Sequence, residues 1–175
     1  MKMLDIDIER EFASIVRDNG GVVLPDILPH PHFLNADFVF HMQRIVAELK
    51  CVTKDNVFSG NNIDKVNLLL SGAPWKLDIQ WKDIDEATWK KLPRELQVEI
   101  TKIFGNSIKR RIAKANRQIR ETKDNLKLGD YTGLLIIAND GVTSFPPAAF
   151  INAIQLTLKS SFHEIRHFIY MTVNM

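Results

Sequence analysis

The spacing of apolar residues divides the chain into stretches of different period. Leu4, Ile8, Phe12 and Ile15 recur at helical intervals in DIDIEREFASIVRDNGG, acids crowd the first turn, and Asn19-Gly20-Gly21 stops the run. GGVVLPDIL then predicts a short strand broken by Pro25 and Pro29. Two β-rich runs follow, ADFVF and RIVAELKCV, separated by His41-Met42-Gln43. Residues 53–104 keep no single period: KDNVFSGNN is polar and loop-like, WKLDIQW alternates as a short strand does, and PRELQVEITKIF places Pro93 at a helix start. This span reads as an insertion, with Trp75, Trp81 and Trp89 as packing anchors. From Asn106 the chain is regular again. Ile108, Ile112, Ala115, Ile119, Thr122 and Leu126 form one helical stripe that Gly129 ends. YTGLLIIANDG is the continuous apolar run of a strand buried on both faces. Residues 147–159 predict a helix and RHFIYMTV a last strand. The order is helix, three strands, insertion, helix, strand, helix, strand. It predicts one α/β domain over 1–175, a central mixed sheet flanked by helices, with 53–104 inserted after the third strand.

Composition narrows the class without changing this picture. The 175 residues are 45% hydrophobic and 25% charged, ordinary values for a globular protein. No apolar run approaches the roughly 18 residues of a membrane span, and MKMLDIDIERE lacks the apolar core of a signal peptide. Cys51 is the single cysteine, which excludes an intrachain disulfide and a cysteine zinc cage, so a cytoplasmic setting is expected. The net charge of +2 hides an asymmetry: residues 101–127 hold nine Lys/Arg against two acids. Such a concentration can face phosphates, although a solvated helix face accounts for a charge run equally simply.

The chemistry lies in the two β-rich runs, which carry ionisable groups inside their apolar stretches. Glu48 and Lys50 share one face of their strand, while Ile45, Ala47 and Leu49 share the other. If Met42-Gln43 forms a two-residue loop, Asp37 lies opposite Glu48 on the same face, roughly 5 Å away. A three-residue loop instead pairs Asp37 with Ala47 and sends the acids to opposite faces, unless a bulge restores the register. Two carboxylates at close range repel unless a cation joins them. Oxygen-only ligation suits Mg²⁺, with Mn²⁺ as a substitute, and an adjacent ammonium can hold a water or offset phosphoryl charge. The plain alternative is a surface hairpin with a cross-strand ion pair.

Asp37, a hairpin, then Glu48-Leu49-Lys50 at the end of an apolar strand resembles the PD-(D/E)xK nuclease superfamily, across residues 4–140. Ala36 stands where the family's name has proline. The resemblance implies a restriction-endonuclease-like fold and a metal-dependent nuclease hydrolysing phosphodiester bonds. Asp37, Glu48 and the Leu49 carbonyl would hold the metal, and Lys50 would assist the attacking water. Many members also carry a glutamate on the first helix. Glu11, between Ile8 and Ile15, is the candidate here, ahead of Glu9. On the basic helix, Arg110, Lys114 and Arg117 are candidate phosphate contacts, and Gln118 matches a polar position that some members place there. Arg117 can equally pair with Glu121 four residues on. Nucleic acid is the expected partner, DNA ahead of RNA, with no membrane and with a homodimer as a candidate assembly. The competing reading is a binding module that keeps the fold without catalysis.

His163-Glu164-Ile165-Arg166-His167 is a literal H-E-x-x-H, which on a helix would offer two imidazoles to zinc, as in a zinc hydrolase. Its neighbours, RHFIYMTV, are aromatic and β-branched and predict a strand instead.

Overall fold

The computed structural model describes residues 6–53, 60–141 and 146–173. Leu4 and residues 54–59 of the expected loop lie outside them. The chain divides into two compact units: Met1–Val52, Arg111–Gly141 and Ser161–Met175 form the first, Thr53–Arg110 and Val142–Ser160 the second. The expected insertion 53–104 falls within the second unit, which takes in residues 105–110 and 142–160 as well.

The first unit is built on a five-stranded sheet of order β1-β2-β3-β4-β5. The strands are β1 (Val22–Val23), β2 (Phe38–Phe40), β3 (Ile45–Thr53), β4 (Thr132–Asp140) and β5 (Ile165–Val173). β1/β2 and β2/β3 are antiparallel, β4/β5 is parallel, and the sheet is therefore mixed, as expected. Helix α1 (Ile8–Asp18) packs on one face. Its Ile8 and Val16 join Val23, Phe38, Ala47, Leu49, Ile136 and Ala138 in one core, with Phe12 and Ala13 against it. Side chains alternate along a strand, so Glu48 and Lys50 of β3 and Leu135 and Ile137 of β4 belong to the other face. That face meets the C-terminal part of a long helix, α5 (Arg94–Asn125), through Lys50 to Gln118 and Gly133 to Ile119. A short helix, α2 (Leu24–Ile27), follows β1 where the prolines were expected to break the strand; Pro25 sits in its first turn.

The second unit contains α3 (Gly60–Ser71), a 3₁₀ turn at Trp81–Asp83, α4 (Glu86–Lys91), residues 94–110 of α5 and nearly all of α6 (Pro147–Ser161). WKLDIQW is not a strand. Trp75 lies in a turn, Lys76 has a positive φ of 49°, and Trp81 opens the 3₁₀ turn. Gln80 and Asp83 then cap the 3₁₀ turn reciprocally, which buries Trp81 against Trp89 and Phe104 at centroid distances of 6.4 and 5.0 Å. Trp81 and Trp89 are the packing anchors expected, whereas Trp75 is half-buried.

The two helical patterns expected around Asn106 fuse into the single 32-residue α5. Leu96, Ile100, Phe104, Ile108, Ile112, Ala115, Ile119 and Thr122 are all buried in steps of three or four, so the stripe outweighs the one weak point at Gly105.

Two glycines should respond oppositely to alanine. Among the described residues a Cβ at Gly105 meets nothing within 4 Å, so Gly105→Ala should raise stability by about 0.5–1 kcal/mol. At Gly133 a Cβ would lie 2.1 Å from the Glu164 carbonyl oxygen, beside the bulge that shifts the β4/β5 register, so Gly133→Ala should lower it by roughly 1–3 kcal/mol. Urea denaturation of both variants checks the signs.

Candidate active site

The site begins at the β2–β3 turn. Arg44 N–H donates to the His41 carbonyl at 3.3 Å, leaving Met42 and Gln43 as the two central residues. The ladder pairs Phe38 with Ala47, Val39 with Val46 and Phe40 with Ile45. Continued one step past Phe38–Ala47, that register sets Asp37 opposite Glu48, as the two-residue loop requires; an unbulged three-residue loop would pair Asp37 with Ala47.

Asp37 is fixed from both ends. Its carboxylate Oδ2 accepts the Leu49 N–H at 2.8 Å, and its carbonyl accepts the Leu24 N–H, also at 2.8 Å. The three residues before it are fastened to three side chains of α5. Leu34 N–H donates to Glu121 Oε2 at 2.8 Å, Gln118 Nε2 donates to the Asn35 carbonyl at 2.8 Å, and Ala36 N–H donates to Thr122 Oγ1 at 2.7 Å.

Glu48 has no exposed surface. The Lys50 ammonium donates to its Oε1, and to Gln118 Oε1 at 3.0 Å, while Glu48 Oε2 is buried without a hydrogen-bond partner among the described residues. Burial, then the neighbouring Asp37 charge, pushes the Glu48 carboxyl up to about 8; Lys50 opposes this shift without cancelling it. Asp37 is also raised, chiefly by burial, against the Leu49 N–H and the Lys50 and Lys114 charges. A cavity of about 410 Å³ opens on this group, with Lys114, Gln118 and Glu9 also in its walls.

This donor set fits a hard divalent cation. Among the described residues no group of three or more His, Cys, Asp and Glu side chains could hold a metal. Two carboxylates, one with a buried and unpartnered oxygen, match an ion that takes few protein ligands and keeps several waters. A bound cation would occupy that oxygen and offset the Asp37 charge that, after burial, raises the Glu48 carboxyl.

The structure brings Asp37, Glu48, Leu49, Lys50, Lys114 and Gln118 to one cavity. It does not bring Glu11, which is exposed and outside the cavity walls; Glu9 stands there instead. The reason is helix phase. The buried side of α1 runs through Ile8, Phe12, Ala13 and Val16, whereas Ile15 is 55% exposed. At about 100° per residue, Glu9 falls toward the sheet side of that stripe and Glu11 falls away from it. Arg117 is engaged by Glu121 at 2.6 Å, and Arg110 is exposed and belongs to the second unit. Arg17 and Asp26, paired at 2.7 Å, also line the cavity and carried no sequence signal. The clamp by Glu121 and Thr122 was missed too, since Thr122 read only as part of an apolar stripe.

His163 and Glu164 lie in a bend and His167 is exposed on β5, so the two imidazoles are not on successive turns of a helix. Glu164 is occupied by Lys123 at 2.7 Å. Among the described residues, no helix is long and apolar enough to cross a membrane. The chain matches no family model, no curated protein and no solved structure.

The raised carboxyls set a pH dependence. A folded-state pKa above the unfolded one favours the protonated native form. In EDTA, stability should therefore fall as pH rises from 4.5 to about 8 and level off above, with Asp37 contributing in the same direction. Glu48→Gln should flatten most of that slope. Urea midpoints measured across the range for both proteins test it, and a flat wild-type profile would show that Glu48 titrates normally.

Proposed function

We propose that the chain is a Mg²⁺-dependent nuclease of PD-(D/E)xK type, with a restriction-endonuclease-like first unit and DNA as its substrate. The observation that supports this most is the buried Glu48 and half-buried Asp37 facing each other across a hairpin, beside the Lys50 ammonium. Asp37 and Glu48, with the Leu49 carbonyl, are the groups that would hold the cation. When bound, Mg²⁺ supplies Lewis-acid charge to a phosphodiester and eases deprotonation of water.

The remaining work falls to the chain's own side chains. Lys50 Nζ can orient an attacking water and offset negative charge developing on the phosphoryl oxygens. Gln118 holds the ammonium in place, being itself anchored on the Asn35 carbonyl. Lys114 offers a second positive charge to a substrate phosphate. Glu9 takes the position on the first helix that the resemblance gives to a glutamate. Cys51 does not compete as a nucleophile: burial, then the charges of Glu9 and Asp140, push its thiol up to about 11.

The test separates metal binding from chemistry. Asp37→Ala and Glu48→Ala should lose Mn²⁺ affinity in calorimetric titration together with cleavage of DNA. Lys50→Ala should keep the metal and lose roughly 100-fold or more in turnover. It should still fold, because Glu48 can retain its proton when the ammonium is gone. Wild-type Mn²⁺ affinity in both carboxylate variants would show an ordinary buried ion pair. Metal binding with no cleavage of any nucleic acid would favour a non-catalytic binding module. Lys114→Glu should weaken DNA binding for all sequences alike and make the log–log salt dependence shallower, by about 0.9 for each phosphate it no longer neutralises.

A further inference from the structure

The second unit holds a different kind of site, independent of the nuclease reading. A cleft of about 410 Å³ lies among α4, α5 and α6, bordered by Lys90, Arg94 and Lys159, and among the described residues no acidic side chain lines it. Lys90 is engaged by Glu86 at 3.2 Å, but among the described residues neither Arg94 nor Lys159 makes an ion pair. Inside the cleft, Thr101 is 3% exposed and its hydroxyl has no hydrogen-bond partner among the described residues. A threonine within a helix can satisfy its hydroxyl on the carbonyl one turn back. Thr101 does not, and a buried group left unpaired is costly unless something from outside meets it.

The rest of the lining restricts the ligand. Asn152 and Gln155 offer amides with both donors and acceptors. Gln97 uses its Nε2 on the Trp89 and Leu92 carbonyls at 2.8 and 3.1 Å, which leaves its Oε1 to accept. Leu92, Val98 and Leu156 supply apolar wall. Unpaired cations call for an anion, amides for an edge of mixed donors and acceptors, and apolar side chains for a flat ring. The volume is at the lower end of the roughly 300–1,000 Å³ of small-molecule sites, too large for inorganic phosphate alone and too small for several nucleotides.

We infer that this cleft binds a single nucleoside phosphate, its phosphates on Arg94 and Lys159 and its polar edge on Thr101 and the amides. The nucleotide can be free or can be the end of a strand, and the two sources share this chemistry. Calorimetric titration of the full chain, in EDTA so that the carboxylate site takes no part, decides between them. ADP and a 5′-phosphorylated dinucleotide should each bind one to one, at least tenfold tighter than inorganic phosphate. Tighter binding of ADP assigns the cleft to free nucleotide, and tighter binding of the dinucleotide assigns it to a strand end. Arg94→Gln with Lys159→Gln, both at exposed positions, should weaken ADP by roughly ten- to a hundredfold. Thr101→Val should weaken it by about fivefold while leaving Tm unchanged or higher, because the unpaired hydroxyl is gone. No binding at millimolar concentration, equal affinity for inorganic phosphate, or an affinity unmoved in the Arg94/Lys159 variant overturns the assignment.

Discussion

Asp37, half-buried just ahead of β2, and Glu48, buried in β3, bring two carboxyl groups close together, and the surroundings of β2 and β3 are arranged to contain their charge. Leu49 N–H stabilises Asp37, Lys50 stabilises Glu48, and a proton on Glu48 removes one of the two charges in the absence of a cation. Each device depends on the hairpin register. A slip of one residue would turn Glu48 and Lys50 into the apolar layer under α1 and bring Ala47 and Leu49 out of it. The turn at Met42-Gln43 therefore sets the fold and the site together.

Helix α5 connects these levels. Its apolar stripe is buried, and beside that stripe Lys114, Gln118 and Thr122 succeed one another at intervals of four, so they stand in one row along the helix. Thr122 and Gln118 hold the segment leading into Asp37, Gln118 also holds Lys50, and Lys114 adds positive charge to the same cavity. Glu121 completes the fastening at Leu34, and Arg117 keeps it ionised, its carboxyl held below the usual range. Holding the Asp37 loop on a long helix places the acid against a rigid element, although the loop itself lies outside the regular strand.

The same helix shows why charge counting alone misassigns roles. Nine Lys/Arg in residues 101–127 could face phosphates or form a solvated helix face. In the fold these side chains divide by partner. Arg117 serves Glu121, Lys123 serves Glu164, and Arg111 donates to the Cys51 carbonyl at 3.2 Å. Lys114 is the one of the three proposed phosphate contacts that borders the cavity. Local sequence gives the number of charges and the pairing of Arg117 with Glu121 four residues on, but a neighbour distant in the chain decides that Lys123 is neutralised by Glu164.

What the sequence determined by itself is the part governed by short-range periodicity: the order of strands and helices, the buried β4, and the face shared by Glu48 and Lys50. Strand alternation and turn length act over a few residues, so a hairpin written in twenty residues carries its own geometry. Tertiary structure alone decided what those few residues could not encode. Whether α1 turned Glu9 or Glu11 to the cavity depended on which side of a nearly ambiguous stripe the sheet would cover, and Val16 was covered in place of Ile15. WKLDIQW had the alternation of a strand, but its backbone turns at Trp75 and Lys76 and enters the 3₁₀ turn at Trp81. Gln118 acquired its place because Asn35, 83 residues earlier, and Lys50, 68 earlier, meet it across the packed face of the sheet. Periodicity is a property of neighbours along the chain, whereas burial and charge pairing are properties of neighbours in space.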